Sequence, residues 1–363
     1  MLYIRADGNT GIGMGHVMRC LSIAEAVAET DGQPKPVFII ADEGCCQLIA
    51  DRGFQSIVLN TDYRDMISEL PQLVKLLNQE NDSILVDSYQ VSEEYYAALG
   101  QLAKVACLED MGEPYPVDLL INYNIYGPQL AANYQKPSGG DRECTCHDKY
   151  PRQVLLGVEY MPLRKAFQKP SAYVIKDKVT DVTITTGGSD PCFAAAALMD
   201  AFLRDSDLSD QKIHWHVISG PFNSFAQQLK SRYQTCDNVT IHENVKDMRS
   251  LLLRSDIVLS ATGSTIYEVS SLGVPMIVFY FAENQRQGAE ALEKMTDIVN
   301  SGCFASDAGA VTARAVEAMK KCVRQKEYRS LLHEQEKKLV DGKGAVRIAN
   351  HLRELALSKR QSD

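Results

Sequence analysis

The sequence predicts an α/β fold built from two open, doubly wound parallel sheets, and three observations carry that prediction. Short runs of Val, Ile and Leu alternate with stretches of helical periodicity along most of the chain, as βαβ units require. The runs are apolar throughout rather than alternating in polarity, as in strands covered on both faces. A glycine-rich strand-to-helix turn occurs twice, as GIGMGHVMR at 11–19 and TTGGSD at 185–190, near the start of each half.

At 363 residues the chain is long enough for two domains, each with its own core. A hydrophobic content of 45% with 23% charged residues suits a soluble globular protein. The net charge of -9 argues against a nucleic-acid partner, which needs a basic face. Phosphate recognition would then rest on backbone amides and a few arginines. No apolar run approaches the ~18 residues of a bilayer span, so membrane insertion is not expected. The opening residues lack the charged region and cleavage site of an export signal, so a cytoplasmic location is expected. The ten cysteines are scattered through apolar stretches and read as small buried side chains.

The first strand is LYIRADGN. In the turn after it, Gly11, Gly13 and Gly15 lack a Cβ, so the backbone can take positive φ and approach a ligand closely. The helix that follows presents unpaired N–H groups and the positive end of its dipole to the same place. His16 stands at its start and Arg19 one turn along. The usual acidic sequel of a dinucleotide site is missing, with Asp42 and Glu43 the nearest approach to it.

PVFIIAD, SILVDSY, KVACLED and DLLINYN read as the next strands, with MISELPQLVKLLNQE helical between the first two. Ligands of such sheets bind at the carboxyl ends of the strands. Those ends carry Asp7, Asp87-Ser88-Tyr89, Glu109-Asp110 and Asn122-Tyr123-Asn124. Asp and Asn are ordinary caps and turn formers, but four such ends in a row make a polar crevice. The polar stretch 134–151 is an exposed loop. Its Cys144, Cys146 and His147 lack the paired spacing of a zinc site, so no metal is expected. Residues 168–181 read as a linker.

The second half repeats the pattern. DVTITTGGSD is a strand and turn, followed by the helix AAAALMDAFL with Pro191 in its first turn. No GKS or GKT follows, so this is not a Walker loop. KIHWHVISGPFN is a strand ending at Gly220, DNVTIHENV a strand, and VKDMRSLLLRSD a helix. IVLSATGSTIYEVSSLGVPMIVFY is strand, Gly-Ser turn, helix and strand, and AENQRQGAEAL opens a helix. The remainder is charged and helical. The domains are placed at 1–167 and 178–345, with a last helix at 346–363 packing back on the first domain.

GIGMGHVMR, VDSY, TGGSD and ATGSTIYEVSSLGVPMIVFYFAENQ resemble the UDP-sugar hydrolases of pseudaminic acid biosynthesis and the related spore coat polysaccharide proteins, from Tyr3 to about Ala291. The later motifs are shared more widely with GT-B glycosyltransferases, including the peptidoglycan enzyme that moves GlcNAc onto a lipid carrier. The resemblance implies a GT-B fold: two facing Rossmann-like domains, the active site in the cleft, and the nucleotide mainly on the second domain. It implies His16 as catalytic base and Tyr89 near the reacting sugar. It also implies Glu268 on the ribose, and Asn284 and Gln285 near sugar and phosphates. Asp7 completes the candidate catalytic set. Gly13, Gly15, Arg19, Arg164, Gly187, Gly188, Gly220, Thr262, Gly263 and Ser264 complete the candidate substrate-binding set. The 134–150 loop and the longer C-terminal tail depart from shorter members and bear on the choice of sugar.

The reaction so implied is hydrolysis of a UDP-linked amino-deoxy sugar, of the UDP-diacetamido-trideoxy-hexose type. The anomeric C–O bond breaks with inversion, releasing UDP and free sugar, without a cofactor, in a monomer or weak homodimer. The departing diphosphate needs positive dipoles already in place. The TGGSD and ATGST turns, each opening a helix, would supply them. An imidazole, with an ordinary pKa near ~6.5, is matched to removing a proton from water. Asp7, Asp87 or Asp110 would orient the ring. A glycosyltransferase of the same fold, a sugar-nucleotide epimerase and a non-catalytic UDP-sugar binder are the competing readings.

Overall fold

The computed structural model describes residues 1–9, 11–29, 34–77, 82–136 and 149–358, the Asn284 side chain apart. Cys144, Cys146 and His147 therefore lie outside the described residues. The chain divides into two compact units, Met1–Lys165 with Lys343–Asp363, and Ala166–Gly342.

The first unit runs β1 (Leu2–Ala6), α1 (Gly15–Ala28), β2 (Val37–Ile40), α2 (Cys46–Asp51), β3 (Gln55–Val58), α3 (Leu70–Leu76), β4 (Ser83–Asp87), α4 (Glu93–Leu102), β5 (Lys104–Leu108), β6 (Leu119–Asn122) and β7 (Gln153–Leu156). The seven strands form a parallel sheet in the order β3-β2-β1-β4-β5-β6-β7. The order reverses between β1 and β4, which opens a crevice at their carboxyl ends. β4, β5 and β6 are buried at every position, as their uninterrupted apolar runs imply. β3 and β7 are the sheet's edges and were not legible as strands, since QSIV and QVLL are short and only partly buried.

Asp7 is tied into the floor of this sheet. Arg5 is fully buried and donates to Glu69 through Nε (2.8 Å) and Nη2 (2.7 Å) and to Asp7 through Nη1 (2.6 Å). Tyr95 donates to the same Glu69 at 2.5 Å, and the Ala41 N–H donates to the other Asp7 oxygen at 2.7 Å. A buried arginine needs this much carboxylate to offset its desolvation.

The second unit runs β8 (Asp181–Thr185), α5 (Ala194–Arg204), α6 (Ser206–Ser209), β9 (His214–Ser219), α7 (Ala226–Tyr233), β10 (Val239–Glu243), α8 (Met248–Arg254), β11 (Ile257–Ala261), α9 (Ser264–Leu272), β12 (Met276–Tyr280), α10 (Glu283–Met295), β13 (Asn300–Cys303), α11 (Ala308–Arg324) and α12 (Lys326–Leu339). Its parallel sheet has the order β10-β9-β8-β11-β12-β13, reversing between β8 and β11. Pro191 lies in the turn ahead of α5 rather than in its first turn, because Phe193, in the left-handed region at φ 53°, precedes the first helical residue. The charged C-terminal stretch is not wholly helical: Asn300–Cys303 pairs with β12 through an irregular register. Nor is it merely a solvated face. Arg329 is buried and donates to the carbonyls of Lys176 and Asp177, so part of the stretch 168–181 is held within this unit.

The last helix, α13 (Gly344–Leu357), packs on α1 in the first unit. Lys104, the first residue of β5, donates to the carbonyls of Leu355 (2.9 Å), Ala356 (3.3 Å) and Ser358. A buried ammonium thus meets the negative end of the helix.

Candidate functional site

The β1–α1 turn is built on Asn9. Its Oδ1 accepts from the N–H groups of Gly11 (2.9 Å) and Ile12 (3.2 Å), and its carbonyl accepts from Gly13 N–H at 2.8 Å. Gly13 turns the chain at φ +76°, where a side chain would be strained. The turn delivers α1 with no side-chain cap and no acidic residue in its first turn. Gly15 opens this helix, and a Cβ there would meet nothing within 4 Å.

His16 follows, 7% exposed. Its Nδ1 lies 2.7 Å from Oδ1 of Asp87, the buried last residue of β4, and 2.8 Å from Arg19 Nη2. Arg19 stands on the same face of α1, three residues on. It donates to Asp87 through Nε and Nη2, both at 2.5 Å, and to the Tyr123 hydroxyl through Nη1 at 2.7 Å. Cys20 Sγ lies 3.6 Å from the second Asp87 oxygen. The sequence left Asp7, Asp87 and Asp110 open as the group that orients the ring. The structure places Asp87 on it, while Asp7 is held by Arg5 and Ala41.

Burial works against the Asp87 charge, but Arg19 and His16 outweigh it and hold the carboxyl well below the usual carboxylate range. In the tautomer that donates Nδ1–H to the Asp87 carboxylate, the lone pair of the imidazole is on Nε2, the arrangement of a general base. Arg19, read from sequence as a substrate ligand, clamps the dyad: Nε and Nη2 reach Asp87, Nη1 reaches Tyr123, and Nη2 also lies 2.8 Å from His16 Nδ1.

Tyr89 sets its ring edge-on to His16, centroids 4.8 Å apart at 77°, and donates its hydroxyl to Asp110 Oδ2 at 2.8 Å. Burial of the phenol and then the Asp110 charge push its pKa above the ordinary value. Tyr123 is the participant that sequence reasoning passed over as a site residue. It sits among the strand-end residues already noted, but only the fold brings it to Arg19.

In the second unit, Gly187, Gly188 and Gly220 meet. A Cβ on Gly220 would lie 2.2 Å from the Gly187 carbonyl, so only glycine fits this crossing. Asp190 accepts from the N–H groups of Ala194 (2.8 Å) and Ala195 (3.0 Å). This corrects the expectation that the TGGSD turn leaves a helix end open to a diphosphate: the chain's own carboxylate occupies the start of α5. The start of α9 differs. Gly263 caps it without a side-chain bond, its first turn has no acidic residue, and a Cβ on Gly263 would meet nothing within 4 Å. Ser264 is exposed there.

Thr262 and Gln285 brace this end of the sheet. Thr262 Oγ1 lies 3.2 Å from the carbonyls of both Phe279 and Gln285, and Gln285 Oε1 accepts from Phe281 N–H at 2.9 Å. Glu268 is buried on α9. The second unit therefore gathers Thr262, Gly263, Ser264 and Gln285 beside the β8–β11 reversal. Arg164 belongs to the first unit, near its boundary with the second in the chain. Among the described residues, no group of three or more His, Cys, Asp or Glu side chains is disposed to hold a metal. Nor is any helix among them long and apolar enough to cross a membrane.

Comparison with known proteins agrees with this architecture. The model of the glycosyltransferase family 28 C-terminal domain matches residues 182–351. An uncharacterized protein of Methanocaldococcus jannaschii is 25% identical over 291 residues, 78% of this chain and 56% of its own length. The chain thus spans little more than half of that relative. The spore coat polysaccharide biosynthesis protein SpsG of Bacillus subtilis is 24% identical over 371 residues, covering 97% of each chain. Among solved structures, UDP-GlcNAc 2-epimerase from Neisseria meningitidis bound to UDP-GlcNAc aligns with a TM-score of 0.62 at 13% identity, covering 98% of this chain and all of the other. The fold is GT-B.

Proposed function

We propose that this chain is a UDP-sugar-processing enzyme in which the His16–Asp87 dyad activates the nucleophile that attacks the anomeric carbon. The observation that carries the reading is the 2.7 Å bond from His16 Nδ1 to Asp87, which leaves Nε2 to take a proton. The diphosphate is assigned to the uncapped start of α9, where backbone N–H groups and the helix dipole favour an anion. The relatives support this partner: the Neisseria epimerase was solved with UDP-GlcNAc.

With water as nucleophile, Nε2 takes one proton as the oxygen bonds to C1. The C1–O bond to the diphosphate breaks, and UDP leaves with the electron pair. The resemblance of GIGMGHVMR to the UDP-sugar hydrolases favours this form, and an amino-deoxy sugar as the glycosyl unit. The family 28 match over 182–351 favours a second form, in which an acceptor hydroxyl replaces water. One experiment separates them. UDP release from UDP-linked amino sugars is measured with and without added acceptor, in wild type and in His16→Asn. Release without acceptor supports hydrolysis, and release only with acceptor supports transfer. A single general base contributes about 10²–10⁴-fold, so near-normal release by the variant would remove His16 from this role.

A further inference from the structure

The His16 ring meets two opposite charges at nearly the same range. Its Nδ1 is 2.7 Å from Asp87 Oδ1 and 2.8 Å from Arg19 Nη2. Arg19 also makes a side-on fork with the carboxylate, Nε to Oδ2 and Nη2 to Oδ1, both at 2.5 Å. A guanidinium keeps its protons. Burial opposes the Asp87 charge, but Arg19 and His16 hold the carboxyl ionised. A 2.7 Å contact needs a proton between its two atoms, so the one between Nδ1 and Oδ1 is the imidazole's own. Nη2 and Nδ1 are then two donors converging on one oxygen, and Nε2 carries the lone pair. Nε2 has no hydrogen-bond partner among the described residues and is not shielded from solvent.

A lone carboxylate at this distance favours the imidazolium, which cannot take a proton, and a guanidinium at this distance disfavours it. Arg19 is fixed in place, with Nη1 on the Tyr123 hydroxyl at 2.7 Å. Other ionisable groups near the ring are Cys20, 3.6 Å from Asp87 Oδ2, and Tyr89, edge-on to His16 and bonded to Asp110. β1 brings Arg5, which is taken up by Glu69 and Asp7. On α13, which packs on α1, Arg347 reaches the Glu159 carbonyl, His351 stands 3.5 Å from Glu354, and Arg353 is exposed. Among the described residues, Asp87 and Arg19 are therefore the charged partners of the ring.

We infer that Arg19 is a positioning residue that matches the Asp87 charge, so that the carboxylate orients His16 without charging it. This rests on the reading of His16 as the base. A buried Asp–His pair alone would fix the ring but favour a proton on the atom that must accept one. The third member removes that conflict.

The test follows the His16 ring by NMR as pH is varied, with its signals assigned by their loss in His16→Asn. Arg19→Gln leaves the carboxylate unmatched, so the titration midpoint should rise by about one unit or more. Arg19→Lys keeps the charge and should move it less. The acid limb of UDP release should rise with the midpoint in Arg19→Gln, and rate lost at neutral pH should return at higher pH. A clamp of shape alone would lower the rate evenly at every pH and leave the midpoint in place, which would overturn the inference. The double variant Arg19→Gln/Asp87→Asn leaves no unpaired buried charge, so it gives an answer even if Arg19→Gln fails to fold. Its midpoint should lie near that of wild type, and a midpoint well below would mean that Arg19 offsets nothing. The titration needs no turnover. Midpoints that shift as expected, in a protein that releases no UDP from any UDP-linked sugar, would uphold the charge matching and overturn the reading of His16 as a base.

Discussion

His16 and Asp87 are 71 positions apart in the chain, yet Nδ1 of one lies 2.7 Å from Oδ1 of the other. The reversal of strand order brings them together, setting β4 directly beside β1 and so beneath the start of α1. Everything proposed for the first unit depends on that adjacency.

Asp87→Asn should damage both chemistry and stability. It releases the ring from its tautomer, and UDP formation should fall at least about 10²-fold. It also leaves Arg19 mostly buried without its counter-charge, at about 3–5 kcal/mol. Urea denaturation and a UDP-release assay report the two losses separately. The pH dependence has a defined sign. The Asp87 carboxyl is held below the usual range when folded, so its contribution is present above the unfolded value near ~3.9 and is lost as pH falls below it. The variant should unfold with a shallower acid dependence than wild type.

Ser264→Asp tests the diphosphate assignment. A carboxylate in the first turn of α9 should stabilise the helix by about 0.3–1 kcal/mol, measured by thermal denaturation. The same charge should repel UDP and weaken its binding about 10-fold or more in calorimetry. A variant that binds UDP normally would remove the start of α9 from the phosphate site.

A histidine cluster in the second unit makes stability sensitive to mild acid. His216 Nδ1 lies 3.0 Å from His242 Nε2, His214 packs on the same ring, and Arg254 Nη2 (2.9 Å) and Asp181 Oδ1 (3.1 Å) both approach its Nε2. Burial, then the Arg254 charge and the neighbouring histidines, lower the His216 pKa against the opposing Asp181 bond; burial and Arg254 lower that of His242. The folded state resists protons that the unfolded chain binds below ~6.5, so stability is present above that pH and lost as pH falls through it. Denaturant midpoints should drop between pH 7 and pH 5, and His216→Gln should flatten that drop.

Lys104→Met should loosen the last helix without touching the dyad. Three carbonyls at the end of α13 lose their shared donor, a cost of about 1–3 kcal/mol. Hydrogen exchange across 344–358 should accelerate more than exchange in β4, and equal protection in both proteins would refute the anchoring role.

What could be read from the sequence follows burial. β4, β8 and β11 are covered on both faces, so SILVD, DVTIT and IVLSA announce themselves as apolar runs. β3, β7 and β13 are edges, and NSGC carries no such signal. His16 was legible because the glycine turn and helix start are local. The choice of Asp87 over Asp7 was not, because it depends on Glu69 reaching Arg5 across 64 positions. Asp190 could have been read as a cap, since Asp shortly before an alanine-rich helix is a common start signal.

The covering of α1 by α13 sets an order of events during synthesis. The first unit is begun by the earliest strand but cannot be sealed until the final helix emerges, after the whole second unit. While the ribosome is still at work, the apolar back of α1 waits uncovered, and the second unit is complete first. A stalled nascent chain lacking Gly344–Leu357 should therefore resist protease in its later half and be cut in its earlier one.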